Sequence, residues 1–196
     1  MKMLTRTETL APFVAALEDR DVHLESHSMR VSLYAAELAQ ALRLSPPEVA
    51  VCRRAGLLHD IGKLALPDAI LQKPAPLTEA EYADIKGHPE AGARMLADLG
   101  FLAAEADVVR SHHEWYDGAG YPEGLAGKAI PLAARVVSVA DVFDAVTTDR
   151  PYQPARSPVV ALCELLRSAG SQFDPDVVAA FAAIPRARLA ELARRA

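Results

Sequence analysis

Histidine and aspartate stand side by side at His59-Asp60, within the stretch His59-Asp60-Ile61-Gly62-Lys63. Adjacent helical residues point about 100° apart. The pair can therefore reach two neighbouring metal ions, or one ion from two sides. Lys63 follows His59 by four residues and shares its face if the helix continues that far. Gly62 lets the backbone turn or lets a ligand approach closely. Four of the other five histidines fall at points that matter structurally. His27 lies four residues before Val31 and so on the inward face of a helix. His88 abuts Pro89. His112-His113 closes a helix just before a glycine-rich stretch. Asp141 and Asp144 are embedded in a strongly apolar helix, where a carboxylate is costly unless paired or bound to metal. Imidazole and carboxylate together suit zinc, iron, manganese or nickel.

The set His27, His59, Asp60, His88, His112, His113 and Asp141 exceeds what one tetrahedral ion needs and matches a pair of metals with open positions. Five neutral imidazoles and two carboxylates around two divalent cations leave a net charge of about +2. Such a centre attracts phosphate anions, and two metals clamp an in-line displacement at phosphorus. Lys63 is a further cation for a non-bridging oxygen or the leaving group. The residues by themselves point to a metal-dependent phosphohydrolase.

The elements that must position these groups are helical. Apolar residues recur at helical spacing over 7–20 (Leu10, Phe13, Val14, Leu17) and over 27–42 (Val31, Ala35, Leu38, Leu42). Ser45-Pro46-Pro47-Glu48 and Thr78-Glu79-Ala80-Glu81 read as capping boxes. The first opens a helix carrying the chain into His59-Asp60. The second opens one reaching His88, where Pro89 forces a break or kink. The residues 64–77 between them form a loop, with Pro67, Pro74 and Pro76. Further helices are expected over 91–99, stopped by Gly100, and over 104–113. Others open at Pro131, at Ser157-Pro158 and at Asp174-Pro175, and 186–196 forms a terminal helix. The segment Asp117-Gly118-Ala119-Gly120-Tyr121-Pro122-Glu123-Gly124 is a long, shaped loop of the kind that is usually functional. No strand alternation or internal repeat appears. The expectation is one all-α domain over 1–196.

The chain has 196 residues, 51% of them hydrophobic, with 26 acidic and 21 basic side chains and a formal charge of −5. That suits a single domain with a sizeable core. No Lys/Arg block offers the concentrated basic face that duplex nucleic acid requires. Cys52 and Cys163 both sit in apolar helical patterns and read as reduced core residues of a cytoplasmic protein. The N-terminus lacks the apolar run of a signal peptide. No apolar run approaches the length of a membrane span.

Taken together, His59-Asp60-Ile61-Gly62-Lys63, His112-His113-Glu114 and Asp117-Gly118-Ala119-Gly120-Tyr121-Pro122 resemble the HD-GYP family of HD-domain phosphohydrolases. The resemblance extends through His27-Ser28-Met29-Arg30-Val31, Lys86-Gly87-His88-Pro89, Ala140 to Ala145, Asp149-Arg150-Pro151-Tyr152 and Phe173-Asp174-Pro175. It covers about residues 21–182. It implies an all-helical HD-type bundle, with a long Gly-rich loop, that hydrolyses the bacterial second messenger cyclic di-GMP to pGpG or GMP. The implied metal ligands are His27, His59, Asp60, His88, His112, His113 and Asp141. Asp60 would bridge two divalent ions, with iron or manganese favoured. Lys63 and Arg150 match positions that contact substrate phosphate. Gly120-Tyr121-Pro122 is similar to the loop that shapes the substrate site and is implicated in docking to diguanylate cyclase domains.

Two departures stand out. Where members binding a third metal carry glutamate, this chain has His23, either a substitute ligand or a bystander beside a two-metal centre, with the two-metal reading favoured. Gln153 stands where a basic residue often contacts phosphate. Asp117 and Glu114 are expected to orient ligand histidines. Hydrolysis of pGpG or a mixed cyclic dinucleotide is the nearest alternative. A non-catalytic signalling module that binds cyclic di-GMP or a cyclase is the more distant one. A domain of this kind is either free-standing or part of a longer protein.

Overall fold

The computed structural model describes residues 22–73, 75–149 and 154–195. The expected helix over 7–20, the His23 side chain, Arg150 and Gln153 lie outside the described residues. Apart from an isolated bridge between Ala169 and Phe173, the described secondary structure is helical. In order the helices are α1 (Val22–Ala41), α2 (Pro46–Leu58), α3 (Asp68–Leu71), α4 (Glu79–Lys86) and α5 (His88–Ala97). They are followed by α6 (Ala103–Ser111), α7 (Leu132–Thr147), α8 (Pro158–Arg167), α9 (Pro175–Ala182) and α10 (Arg186–Ala193). Short 3-10 turns occupy Ile61–Ala65 and Gly127–Ala129.

Local chemistry sets most of these boundaries. Ser45 and Glu48 close a capping box at the start of α2, with Pro46 in the first turn. Thr78 and Glu81 do the same for α4. Asp174 caps α9 by accepting the Asp176 N–H at 2.8 Å, and it also takes a hydrogen bond from Arg135 of α7. That second bond fixes the entry of α9 against the central helix.

Two apolar clusters form the interior. In the larger, Val31, Ala35 and Leu38 of α1 meet Val136, Val139, Ala140 and Phe143 of α7, as the spacing of both segments predicts. Phe143 stands edge-on to Tyr34 at 5.2 Å and to Phe181 at 4.9 Å. The smaller cluster joins Leu58 and Ile61 to Leu96 of α5, to Leu102 just before α6 and to Val109 of α6. The ligand-type side chains come from helices of both clusters.

Several expectations need correction, among them the loop over 64–77, which contains the short helix α3. Pro89 breaks no helix: α4 ends at Lys86, Gly87 is the junction, and His88-Pro89 form the first turn of α5. A proline is harmless there because the first-turn N–H groups have no intrahelical partner. The helix before His59 stops at Leu58 and tightens into the 3-10 turn, so Lys63 does not share a helical face with His59. Cys163 is exposed, whereas Cys52 is buried as expected.

Candidate metal centre

His59 caps the C-terminus of α2, His112 caps that of α6, and His88 follows the last turn of α4. The final carbonyls of a helix have no intrahelical donor. Each of these rings supplies one. Nδ1 of His59 lies 2.9 Å from the Gly56 carbonyl oxygen, Nδ1 of His88 lies 2.7 Å from that of Ile85, and Nδ1 of His112 lies 2.7 Å from that of Val109. A carbonyl oxygen can only accept, so each Nδ1 carries the proton. Each Nε2 is then left as a lone-pair donor pointing away from its helix end. One device at three helix ends thus creates three oriented imidazole nitrogens able to act as ligands.

His27 reaches the same place from α1. Its Nδ1 donates to Asp144 Oδ2 at 2.7 Å, and Asp144 is held in turn by Arg30, Nε to Oδ1 at 2.5 Å. His27 Nε2 faces Asp141 Oδ1 at 3.3 Å, and the same oxygen is 3.8 Å from His59 Nε2. The spacing of α7 explains this division of labour. Asp141 and Asp144 are three residues apart on neighbouring turns, so one meets the ligand face of the imidazole and the other its far side. The Arg30–Asp144 support was not anticipated from the sequence. Its signal was present, since Arg30 and Asp144 each follow a candidate ligand by three residues.

The candidate ligand atoms fall into two groups. One nitrogen or oxygen each from His27, His59 and Asp60 lie within 4.8 Å of one another, and so do those of His88, His112 and His113. Asp60 joins the groups: its Oδ2 is 3.4 Å from His59 Nε2 and its Oδ1 is 3.3 Å from His88 Nε2. All of these side chains except His113 and Asp141 belong to fully buried residues.

The residues fit divalent ions on a direct observation. His88 Nε2 and His112 Nε2 approach to 3.4 Å. With both Nδ1 atoms protonated toward carbonyls, two lone pairs converge with no donor between them. A shared proton does not resolve this, because burial pushes both imidazoles toward the neutral form, His112 well below its ordinary value. Burial likewise pushes His113 down to about 4. Neutral imidazoles aimed at one point are the donors a divalent cation takes. Burial disfavours charge on Asp60 and Asp141, yet both carboxyls lie below the usual carboxylate range. Lys63 and the surrounding histidines hold Asp60 ionised, and His27 and His59 hold Asp141.

Glycine decides how closely the pieces approach. A Cβ on Gly62 would lie 1.9 Å from the His88 carbonyl oxygen and 2.5 Å from the Gly92 nitrogen. The turn carrying Asp60 therefore presses directly on the first turn of α5, which brings His88 to Asp60. A Cβ on Gly120 would lie 2.2 Å from the Trp115 nitrogen. The loop thus folds back on the residues after His113, and Tyr121 N–H donates to the His113 carbonyl at 3.2 Å. The Tyr121 ring stacks on the His113 imidazole at 4.9 Å and 29°.

Glu114 does not orient a histidine. Its carboxylate accepts the backbone N–H groups of Glu123, Gly124 and Leu125 at 2.7, 3.1 and 3.0 Å and so closes the loop. Asp117 accepts the Ala119 N–H at 2.9 Å within its own turn. Lys63 Nζ lies 2.7 Å from Asp60 Oδ2.

With this geometry in view, a family model described as HD domain matches residues 13–177. The chain belongs to the HD-domain family. Its relatives and its His-His and Gly-Tyr-Pro segments place it with the HD-GYP type of HD domain. It is 44% identical over 173 residues to the cyclic di-GMP phosphodiesterase response regulator RpfG of Xanthomonas campestris, covering 87% of this chain and 46% of that protein. It is 36% identical over 168 residues to 3′3′-cGAMP-specific phosphodiesterase 3 of Vibrio cholerae, covering 86% and 36%. The HD domain thus spans less than half the length of these relatives. Its fold matches the crystal structure of a cyclic GMP-AMP specific phosphodiesterase of V. cholerae with a TM-score of 0.73. That match is at 23% identity and covers 96% of this chain and 52% of that one. Among the described residues, no helix is long and apolar enough to cross a membrane.

Proposed function

We propose that this HD domain is a metal-dependent phosphodiesterase that opens a cyclic dinucleotide, with cyclic di-GMP as its substrate. The observation that carries the reading is the Asp60 carboxylate, whose two oxygens face two separate groups of oriented ligands. His27, His59, Asp60 and Asp141 would hold one divalent ion, and Asp60, His88, His112 and His113 would hold the other, with iron or manganese favoured in both positions. Bound there, such a pair supplies Lewis acidity and a nucleophile at neutral pH. The protein's own groups do the rest. The Nδ1–H donations fix the His27, His59, His88 and His112 imidazoles before substrate arrives. Lys63, beside Asp60, meets a non-bridging phosphate oxygen. Gly120 draws the loop in so that Tyr121 and Pro122 border the substrate, and Arg150 supplies a further phosphate contact. The same loop, Gly120-Tyr121-Pro122, is the segment through which a diguanylate cyclase domain would dock.

Relatives named for cyclic di-GMP and for 3′3′-cGAMP are similar to this chain at comparable levels, which keeps the mixed dinucleotide as the second reading. The test is an anaerobic incubation of Fe(II)- and Mn(II)-loaded protein with cyclic di-GMP, 3′3′-cGAMP and pGpG, with products separated by chromatography. Consumption of cyclic di-GMP with pGpG accumulating supports a two-metal enzyme. Full conversion to GMP brings His23 in as a third-metal ligand. Asp60→Ala should abolish turnover, and binding of cyclic di-GMP by loaded protein without turnover would overturn the proposal.

A further inference from the structure

A cyclic dinucleotide carries two phosphodiesters, and a centre that cleaves one leaves the other to be met elsewhere. Lys86, in the last turn of α4, has its Nζ 4.8 Å from the centre of the Tyr82 ring and 5.2 Å from that of Tyr121. Tyr121 in turn stacks on His113. A line of contacts therefore runs from the exposed Tyr82 through Lys86 and Tyr121 to one of the ligand histidines. Among the described residues no carboxylate lies within ion-pairing distance of Lys86, unlike Lys63, which is paired with Asp60, and Lys73, which is paired with Glu81.

The Tyr82–Lys86 contact alone is ordinary. Residues four apart meet on a helix surface, and a cation suits a helix C-terminus. Neither fact explains why the ammonium also lies over Tyr121, which belongs to a different segment and is fixed by its own bond to the His113 carbonyl. Two aromatic faces hold the charge next to the tyrosine that stacks on His113, and among the described residues its N–H donors meet no acceptor.

We propose that Lys86, framed by Tyr82 and Tyr121, binds the second, non-scissile phosphate of the dinucleotide. This rests on the phosphodiesterase reading above. Lys86 then sets the selectivity for dinucleotides over simple phosphodiesters and takes no part in bond cleavage.

The experiment compares wild-type protein with Lys86→Met, which keeps the apolar stem over the rings, and Lys86→Arg, which restores the charge. Each is Mn(II)-loaded and checked for unchanged metal content and melting temperature. Two substrates are used: cyclic di-GMP, with two phosphates, and bis(p-nitrophenyl) phosphate, with one. Binding of cyclic di-GMP is also followed by calorimetry at two salt concentrations. Lys86→Met is expected to weaken binding and raise KM for cyclic di-GMP about tenfold with kcat nearly unchanged, to reduce the salt dependence, and to leave bis(p-nitrophenyl) phosphate untouched. Lys86→Arg should recover most of the loss. Wild-type values for cyclic di-GMP in Lys86→Met, or an equal loss on both substrates, would overturn the assignment. Wild-type protein that cleaves bis(p-nitrophenyl) phosphate but neither binds nor cleaves a cyclic dinucleotide would overturn the function, and the role of Lys86 with it.

Discussion

His27 and Asp144 are joined through the imidazole Nδ1 at 2.7 Å, and Arg30 holds the carboxylate from the other side. This bond decides which nitrogen of His27 faces Asp141. Groups that orient a ligand in this way typically contribute 10–100-fold to metal affinity or activity. Asp144→Asn should therefore lower metal affinity and turnover by about that factor while the helical fold persists. Metal analysis together with circular dichroism reads both.

The same bond makes the metal-free protein sensitive to alkali. Burial favours the neutral imidazole, but the hydrogen bonds it donates to Asp141 and Asp144, together with their charges, outweigh it, raising His27 from 6.5 to about 9. The folded state thus holds this proton more tightly than the unfolded chain does. The stability it confers, on the order of 3 kcal/mol, is fully present below pH 6.5 and is lost as pH rises through about 9. Urea unfolding of metal-free protein from pH 6 to 9.5 should show this decline, and His27→Gln should flatten it. Metal uptake at pH 7.5 should also release about one proton from His27, measurable by calorimetry in buffers of different ionisation enthalpy.

Gly62 is needed for an approach of backbone to backbone, not for a turn or for ligand access. Gly62→Ala puts a carbon where the His88 carbonyl stands. The expected result is a loss of about 1–3 kcal/mol, typical of overpacking, together with reduced metal occupancy because His88 moves off Asp60. Thermal unfolding and metal analysis of one preparation test both parts.

Glu114 acts on the loop and not on the metal. Glu114→Ala leaves three backbone N–H groups without their acceptor, which frees Tyr121 from His113. Metal content should stay at the wild-type level while KM for the dinucleotide rises about tenfold, the size expected from losing charge-assisted hydrogen bonds. Loss of metal in this variant would instead place Glu114 in support of the histidines.

The all-helical class, most helix starts and the candidate ligand residues are legible in the order of residues alone. These are local matters. Capping boxes, prolines and apolar spacing act within a few residues, and a histidine at a helix C-terminus finds its carbonyl partner three residues back, as His59 and His112 do. The tertiary structure alone decided how those residues are grouped. That Asp60 lies between His59 and His88 depends on the turn at Gly62 packing against α5. That Asp144 supports His27 depends on α1 crossing α7. That Glu114 serves the loop, and that Lys86 meets Tyr121, depends on where a glycine-rich segment folds back. Such pairings join residues far apart in sequence, so they follow from the packing of helices and not from the spacing of side chains along the chain.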